Sequence, residues 1–200
     1  MEEKCKKTLQ SVLKYDIKKE NILKERDGNM KKNLVLIGMS GAGKSTVGIA
    51  LSYKLRMSFV DVDSYIERTQ NMTVSEFFNT YGAERFREIE TEAVKHMGND
   101  YQNTIISTGG GVILNPENME YLKKNGIVVY INRSVENILK TLNTEKRPLL
   151  KDNPERLREM YKDRHELYLK YADVVVVNGA DFKSGVDNVY DAVKEFFVSN

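Results

Sequence analysis

The segment Gly38-Met39-Ser40-Gly41-Ala42-Gly43-Lys44-Ser45-Thr46 fits the pattern Gly-x4-Gly-Lys-Ser/Thr. Its chemistry is the cradling of phosphate. Glycines let a backbone curl until successive N–H groups converge on phosphate oxygens. A helix opening at Lys44 adds the positive end of its dipole. The lysine ammonium reaches the β- and γ-phosphates of a nucleotide, and the Ser45 hydroxyl can ligate Mg²⁺. The flanks agree, with the aliphatic strand pattern Asn33 to Gly38 before the loop and a helical pattern over 44–56 after it. Gly41, Ala42, Gly43, Lys44, Ser45 and Thr46 are therefore the candidate nucleotide-binding residues.

Other motifs narrow the class. No Asn-Lys-x-Asp occurs, so the usual guanine reader is missing, and no Asp-x-x-Gly marks a GTPase switch. No run of four aliphatics ends in Asp-Glu, which weakens a motor ATPase reading. A small domain with this loop and a late charged loop suggests a small-molecule kinase.

Ligands of such sheets sit beyond the carboxyl ends of the strands. After the second strand pattern come Asp61 and Asp63. If the strand continues, they point opposite ways, one to a metal and one to the acceptor. A carboxylate beside an acceptor hydroxyl can orient it and take its proton. Alternatively, Asp63 or Ser64 caps the next helix. Gly109-Gly110-Gly111 ends the third strand, where bare backbone can approach a ligand closely. In Phe86-Arg87-Glu88-Ile89-Glu90, Glu90 can pair with Arg87, pair with Lys95, or lie on a solvated helix face. Arg147 lies in a charged loop over 144–152, and Arg164 in the helix after it. An arginine on a closing loop can neutralise transition-state charge in phosphoryl transfer.

These residues need a scaffold of alternating strands and helices. Strands are expected at 33–38, 58–62, 104–107, 126–131 and 172–177. Thr73-Val74-Ser75-Glu76 is a capping box opening a short helix, and a charged amphipathic helix follows over 82–97. Asn115-Pro116, Ser134 and Asn153-Pro154 open further helices, and a last one covers 183–198. Short aliphatic strands separated by helices predict an α/β fold with a parallel sheet covered on both faces.

Composition agrees. Two hundred residues, 40% hydrophobic and 30% charged, suit one globular domain. No apolar run approaches the ~18 residues of a membrane span. One cysteine, Cys5, excludes an internal disulfide framework and fits a cytoplasmic protein. His96 and His165 stand far apart, without zinc-ligand spacing, and read as exposed helix positions. The net charge of +2 comes wholly from residues 1–29, so the rest is formally neutral and offers no broad footprint for nucleic acid. Residues 1–29 lack the apolar core of a secretory signal and carry too many acids for a transit peptide. They read as a flexible or weakly helical extension to a domain over 30–200, with Met30 an alternative start.

Taken together, the motifs resemble shikimate kinase over about residues 33–198. The resemblance rests on the phosphate loop, Asp61-x-Asp63, Phe86-Arg87-x-x-Glu90, the triple glycine, Arg147-Pro148-Leu149-Leu150 and Arg164-x-x-x-Tyr168. It implies a P-loop, nucleoside monophosphate kinase-like three-layer sandwich with a five-stranded parallel sheet. It implies transfer of the γ-phosphate of ATP to the 3-hydroxyl of shikimate, on the way to chorismate and the aromatic amino acids, by a monomer using Mg²⁺. By that resemblance Asp63, Arg87, Gly110 and Arg164 bind shikimate beside Gly109 and Gly111, with Asp63 as the base. Lys44 and Arg147 sit on the transferred phosphate, Asp61 and Ser45 hold the metal, and 144–152 is the lid. One departure concerns the nucleotide: the family often packs an arginine on adenine seven residues before the lid arginine, and here that residue is Lys140. The loop Asn178 to Gly185 also lacks the proline often found near adenine. The competing readings are a gluconate kinase-like enzyme, which does not need Arg87, Arg164 and the triple glycine together, and a non-catalytic nucleotide-switched binding protein.

Overall fold

The computed structural model describes residues 33–141, 154–179 and 182–197. The extension 1–29, the lid 144–152 and Arg147 lie outside the described residues.

Five strands are present: β1 (Asn33–Ile37), β2 (Ser58–Asp61), β3 (Thr104–Ser107), β4 (Gly126–Asn132) and β5 (Val174–Val177). Seven α-helices accompany them among the described residues: α1 (Lys44–Leu55), α2 (Val62–Gln70), α3 (Val74–Asp100), α4 (Pro116–Lys124), α5 (Val135–Thr141), α6 (Pro154–Tyr171) and α7 (Phe182–Phe197). The sheet order is β2-β3-β1-β4-β5, with every pairing parallel.

Period-two alternation along the strands sends successive side chains to opposite faces and so builds two cores. Leu34, Leu36, Ile105, Ile127, Val129 and Val174 pack with Val47 and Leu51 of α1 and Val189 and Val193 of α7. Val35, Ile37, Ile106, Val128 and Tyr130 pack on the other face with Ile66, Phe86, Met119 and Leu157. The result is the three-layer sandwich with a five-stranded parallel sheet.

Local chemistry sets the element boundaries. The Thr73–Glu76 capping box is formed in both directions. The helix it opens runs on to Asp100, with a break at Gly82 (φ 82°) that divides it into the short helix and the amphipathic helix expected from sequence. Ser134 Oγ accepts from Asn137 N at 3.2 Å, capping α5.

One expectation fails at the second strand. β2 ends at Asp61 and α2 starts at Val62, so Asp61 and Asp63 do not alternate along an extended chain. Asp61 itself is the cap: its Oδ1 accepts from Ser64 N at 3.2 Å. The helical turn, rather than a pleat, separates the two carboxylates.

The order of strands positions the site. β1 is central and carries the phosphate loop. β3 and β2 flank it on one side, and β4 and β5 on the other. Groups after β2 and β3 can therefore hold an acceptor, while groups after β4 and β5 meet the nucleotide end of the loop.

Candidate active site

The phosphate loop folds as its glycines require. Gly43 caps α1 in the left-handed conformation (φ 96°) and, as a glycine, brings no capping side chain. The positive end of the α1 dipole therefore faces the loop. Lys44 is buried, and its Nζ donates to Gly38 O at 2.8 Å and Met39 O at 2.9 Å, so the ammonium is held within the loop. Ala42 is fully buried, and Thr46 is exposed on the first turn of α1.

Ser45 Oγ donates to Asp61 Oδ2 at 2.7 Å and lies 3.3 Å from Ser107 Oγ. Asp61 therefore divides its oxygens, one capping α2 and the other facing Ser45. A hydroxyl and a carboxylate oxygen are hard donors that suit a divalent cation carried by a polyphosphate. No group of three or more His, Cys, Asp or Glu that could hold a metal occurs among the described residues.

The triple glycine is a meeting point of polar groups. A Cβ on Gly109 would lie 2.8 Å from Asp63 Oδ1 and 3.0 Å from Glu90 Oε1. One on Gly110 would lie 3.0 Å from Ser40 N of the phosphate loop. One on Gly111 would collide with the guanidinium of Arg87. Each glycine thus gives up its side chain to a different functional group. Arg164 reaches the same segment from α6, donating Nη1 to Gly110 O at 3.2 Å. Asp63, Arg87 and Arg164 all meet the segment Gly109 to Gly111.

A family model described as shikimate kinase matches residues 40–194. The chain belongs to the shikimate kinase family. A shikimate kinase of Clostridium botulinum (strain Alaska E43 / Type E3) is 42% identical over 171 residues, covering 86% of this chain and all of that one. One from Thermodesulfovibrio yellowstonii is 45% identical over 143 residues, 70% of this chain and 82% of that relative. Among solved structures, the Acinetobacter baumannii shikimate kinase in complex with shikimate superposes with a TM-score of 0.74 at 35% identity, covering 82% of this chain and 94% of that one.

Within this shikimate kinase scaffold, Glu90 was only an ambiguous charge in the sequence. Its side chain is fully buried, paired with Arg87 Nη1, and does not lie on a solvated face or pair with Lys95. Its Oε1 has no hydrogen-bond partner among the described residues. Burial raises its pKa above the ordinary 4.5, against the lowering pull of Arg87 and Arg164. The folded protein therefore keeps this proton to higher pH than the unfolded chain. Stability from Glu90 is fully present below 4.5 and is lost as pH rises through the raised value. The stability of the wild type relative to Glu90→Gln should accordingly decline as pH rises from 4.5, read from denaturant midpoints. A relative stability that grows with pH would show that the Arg87 pairing outweighs desolvation.

Two residues on the nucleotide side escaped the sequence reading. Arg133 follows β4 directly and donates Nη1 to Gly41 O at 3.2 Å, while its buried Nε has no partner among the described residues. Asn178 follows β5 and donates Nδ2 to Ala42 O at 2.8 Å. Their one available signal was position, at carboxyl ends of strands beside β1. Lys140 is exposed on the last turn of α5. His96 is exposed as expected, but His165 is not. It stacks on Tyr161 and lies 3.1 Å from Tyr130 Oη, tying α6 to the end of β4.

Proposed function

We propose that this chain transfers the γ-phosphoryl group of Mg²⁺-ATP to the 3-hydroxyl of shikimate, giving shikimate 3-phosphate and ADP for aromatic amino acid biosynthesis. The observation that carries the reading is the triple glycine, which sets Asp63, Glu90, Arg87 and the phosphate loop around one short backbone segment. Acceptor and donor sites are thereby contiguous, as direct transfer requires.

The residues act as follows. Asp63 holds ring hydroxyls and takes the proton of the attacking one. Arg87 and Arg164 bind the acceptor carboxylate through planar, charge-assisted bonds that lysine cannot copy. Glu90 fixes the Arg87 fork. Gly41, Ala42, Gly43, Lys44, Ser45 and Thr46 cradle the phosphates, and Lys44 neutralises charge on the group in flight. Ser45 and Asp61 would hold Mg²⁺, and the bound ion would neutralise phosphate charge. Arg147 completes the charge around the transferred group, and Lys140 lies towards the adenine. Arg133 and Asn178 hold the loop carbonyls from the nucleotide side.

We place the catalytic unit in residues 30–200, whose length equals the 171 residues aligned with the Clostridium relative. We infer a monomeric, cytoplasmic enzyme. No helix among the described residues is long and apolar enough to cross a membrane.

Arg164→Ala tests the acceptor assignment. Leaving a carboxylate without one of its guanidinium partners costs about 2–5 kcal/mol in a desolvated pocket. The shikimate KM should rise by at least about thirtyfold, with the ATP KM nearly constant. A rise confined to ATP would remove Arg164 from the carboxylate. Phosphorus NMR of the product should show one monoester at the 3-position, and a phosphate at another hydroxyl would displace Asp63 from its role.

A further inference from the structure

The segment Gly109 to Gly111 has no side chains with which to fix its own peptides, so neighbours must fix them. Two donors converge on one atom. Tyr168 Oη donates to Gly110 O at 2.6 Å, and Arg164 Nη1 donates to the same oxygen at 3.2 Å. The two residues are one helical turn apart on α6, on one face. A carbonyl oxygen has two lone pairs and can accept both.

Resting on the acceptor reading above, we propose that Tyr168 is a positioning residue for acceptor binding: it holds the Gly110 carbonyl so that Arg164 can leave it for the acceptor's carboxylate. Tyr168 is built for a fixed role. Its side chain is fully buried. Its ring stacks on Tyr130 with centroids 4.9 Å apart and planes 19° apart. Tyr130 is itself held, its hydroxyl 3.2 Å from Asn132 Oδ1 and 3.1 Å from His165 Nδ1. Tyr168 Oη lies 3.7 Å from Met39 Sδ in the phosphate loop, but a hydroxyl has one proton, and the shorter contact to Gly110 takes it. Burial pushes the Tyr168 hydroxyl up to about 12, so it remains a donor across the assay range.

Arg164 differs. It is half-buried, and its bond to Gly110 is the longer one. When a carboxylate arrives, the guanidinium gains a charged partner and loosens its hold on the carbonyl. With Tyr168 in place the carbonyl keeps a donor. Without the hydroxyl, Arg164 is the remaining side-chain donor to it among the described residues, and every binding event must strand a carbonyl or divide the guanidinium.

The test is steady-state kinetics of Tyr168→Phe, which keeps the ring and removes the donor. The shikimate KM should rise about tenfold, the ATP KM should stay within about twofold, and the loss in kcat/KM for shikimate should be carried by KM. In an Arg164→Ala background the same change should add little, because the residue it releases is gone. 4-Fluorophenylalanine at 168 fills the hydroxyl's space without donating and should give the same pattern, should the Phe variant fold poorly. An unchanged shikimate KM would overturn the proposal. So would an equal rise for both substrates, which a loosened fold would give, or full additivity with Arg164→Ala. The wild type is measured in parallel. If it shows no shikimate-dependent turnover, the acceptor reading fails and this inference with it. If only the variant result fails, the acceptor reading stands.

Discussion

Lys44→Ala should lose about 10³-fold or more in kcat while the protein stays folded. The expectation follows from where the ammonium sits. Lys44 is buried at the start of α1, bonded to Gly38 O and Met39 O, within the loop that receives the polyphosphate. Phosphoryl transfer spreads charge over the equatorial oxygens, and the enzyme's task is to meet that charge with groups already in place. Removing one preorganised donor from such a site costs about 10²–10³ in kcat, and a full cation should sit at or above the top of that range. The fold should survive because the Lys44 side chain belongs to neither of the apolar cores that pack on the two faces of β1. Single-turnover kinetics with circular dichroism would check both halves. Near-wild-type turnover would remove Lys44 from the transition state.

The second large effect is Asp63→Asn. The substitution keeps size and removes only the proton acceptor and the charge. Proton transfer by a positioned side chain is worth about 10²–10⁴-fold, so kcat should fall by that range while the ATP KM stays near its original value. The geometry supports placing the loss in the chemical step, because Asp63 Oδ1 lies against Gly109 while Ser45 bonds to Asp61. A variant that weakened only metal or nucleotide binding would exchange the roles of Asp61 and Asp63. Wild-type-like kcat would require another base.

The sequence carried much of this site for a physical reason: phosphate loops and bare-backbone contacts demand glycine at set positions, and such demands survive as spacing. Gly43 and Gly109 to Gly111 were legible in that way. Strand hydrophobicity likewise made the five strands legible, with β1, β3 and β4 buried and the edge strands β2 and β5 only partly so. The Asp61–Asp63 geometry was misread because a strand that ends one residue earlier replaces a pleat with a helical turn. The burial of Glu90 was not legible, because Arg87 and Glu90 at i, i+3 look the same on a solvated helix face as in a pocket. Arg133 meeting Gly41, and Tyr168 meeting Gly110, join parts of the chain 92 and 58 residues apart. No local pattern encodes such pairs; they follow only from the order of strands.

The central claim is that acceptor and donor half-sites meet at the triple glycine to phosphorylate shikimate. Its most direct test is ADP release by the purified full chain with Mg²⁺-ATP, with shikimate, with gluconate, and with neither. The account predicts saturable release that depends on shikimate alone. Folded protein that binds ATP yet releases no more ADP with shikimate than without it would contradict the account.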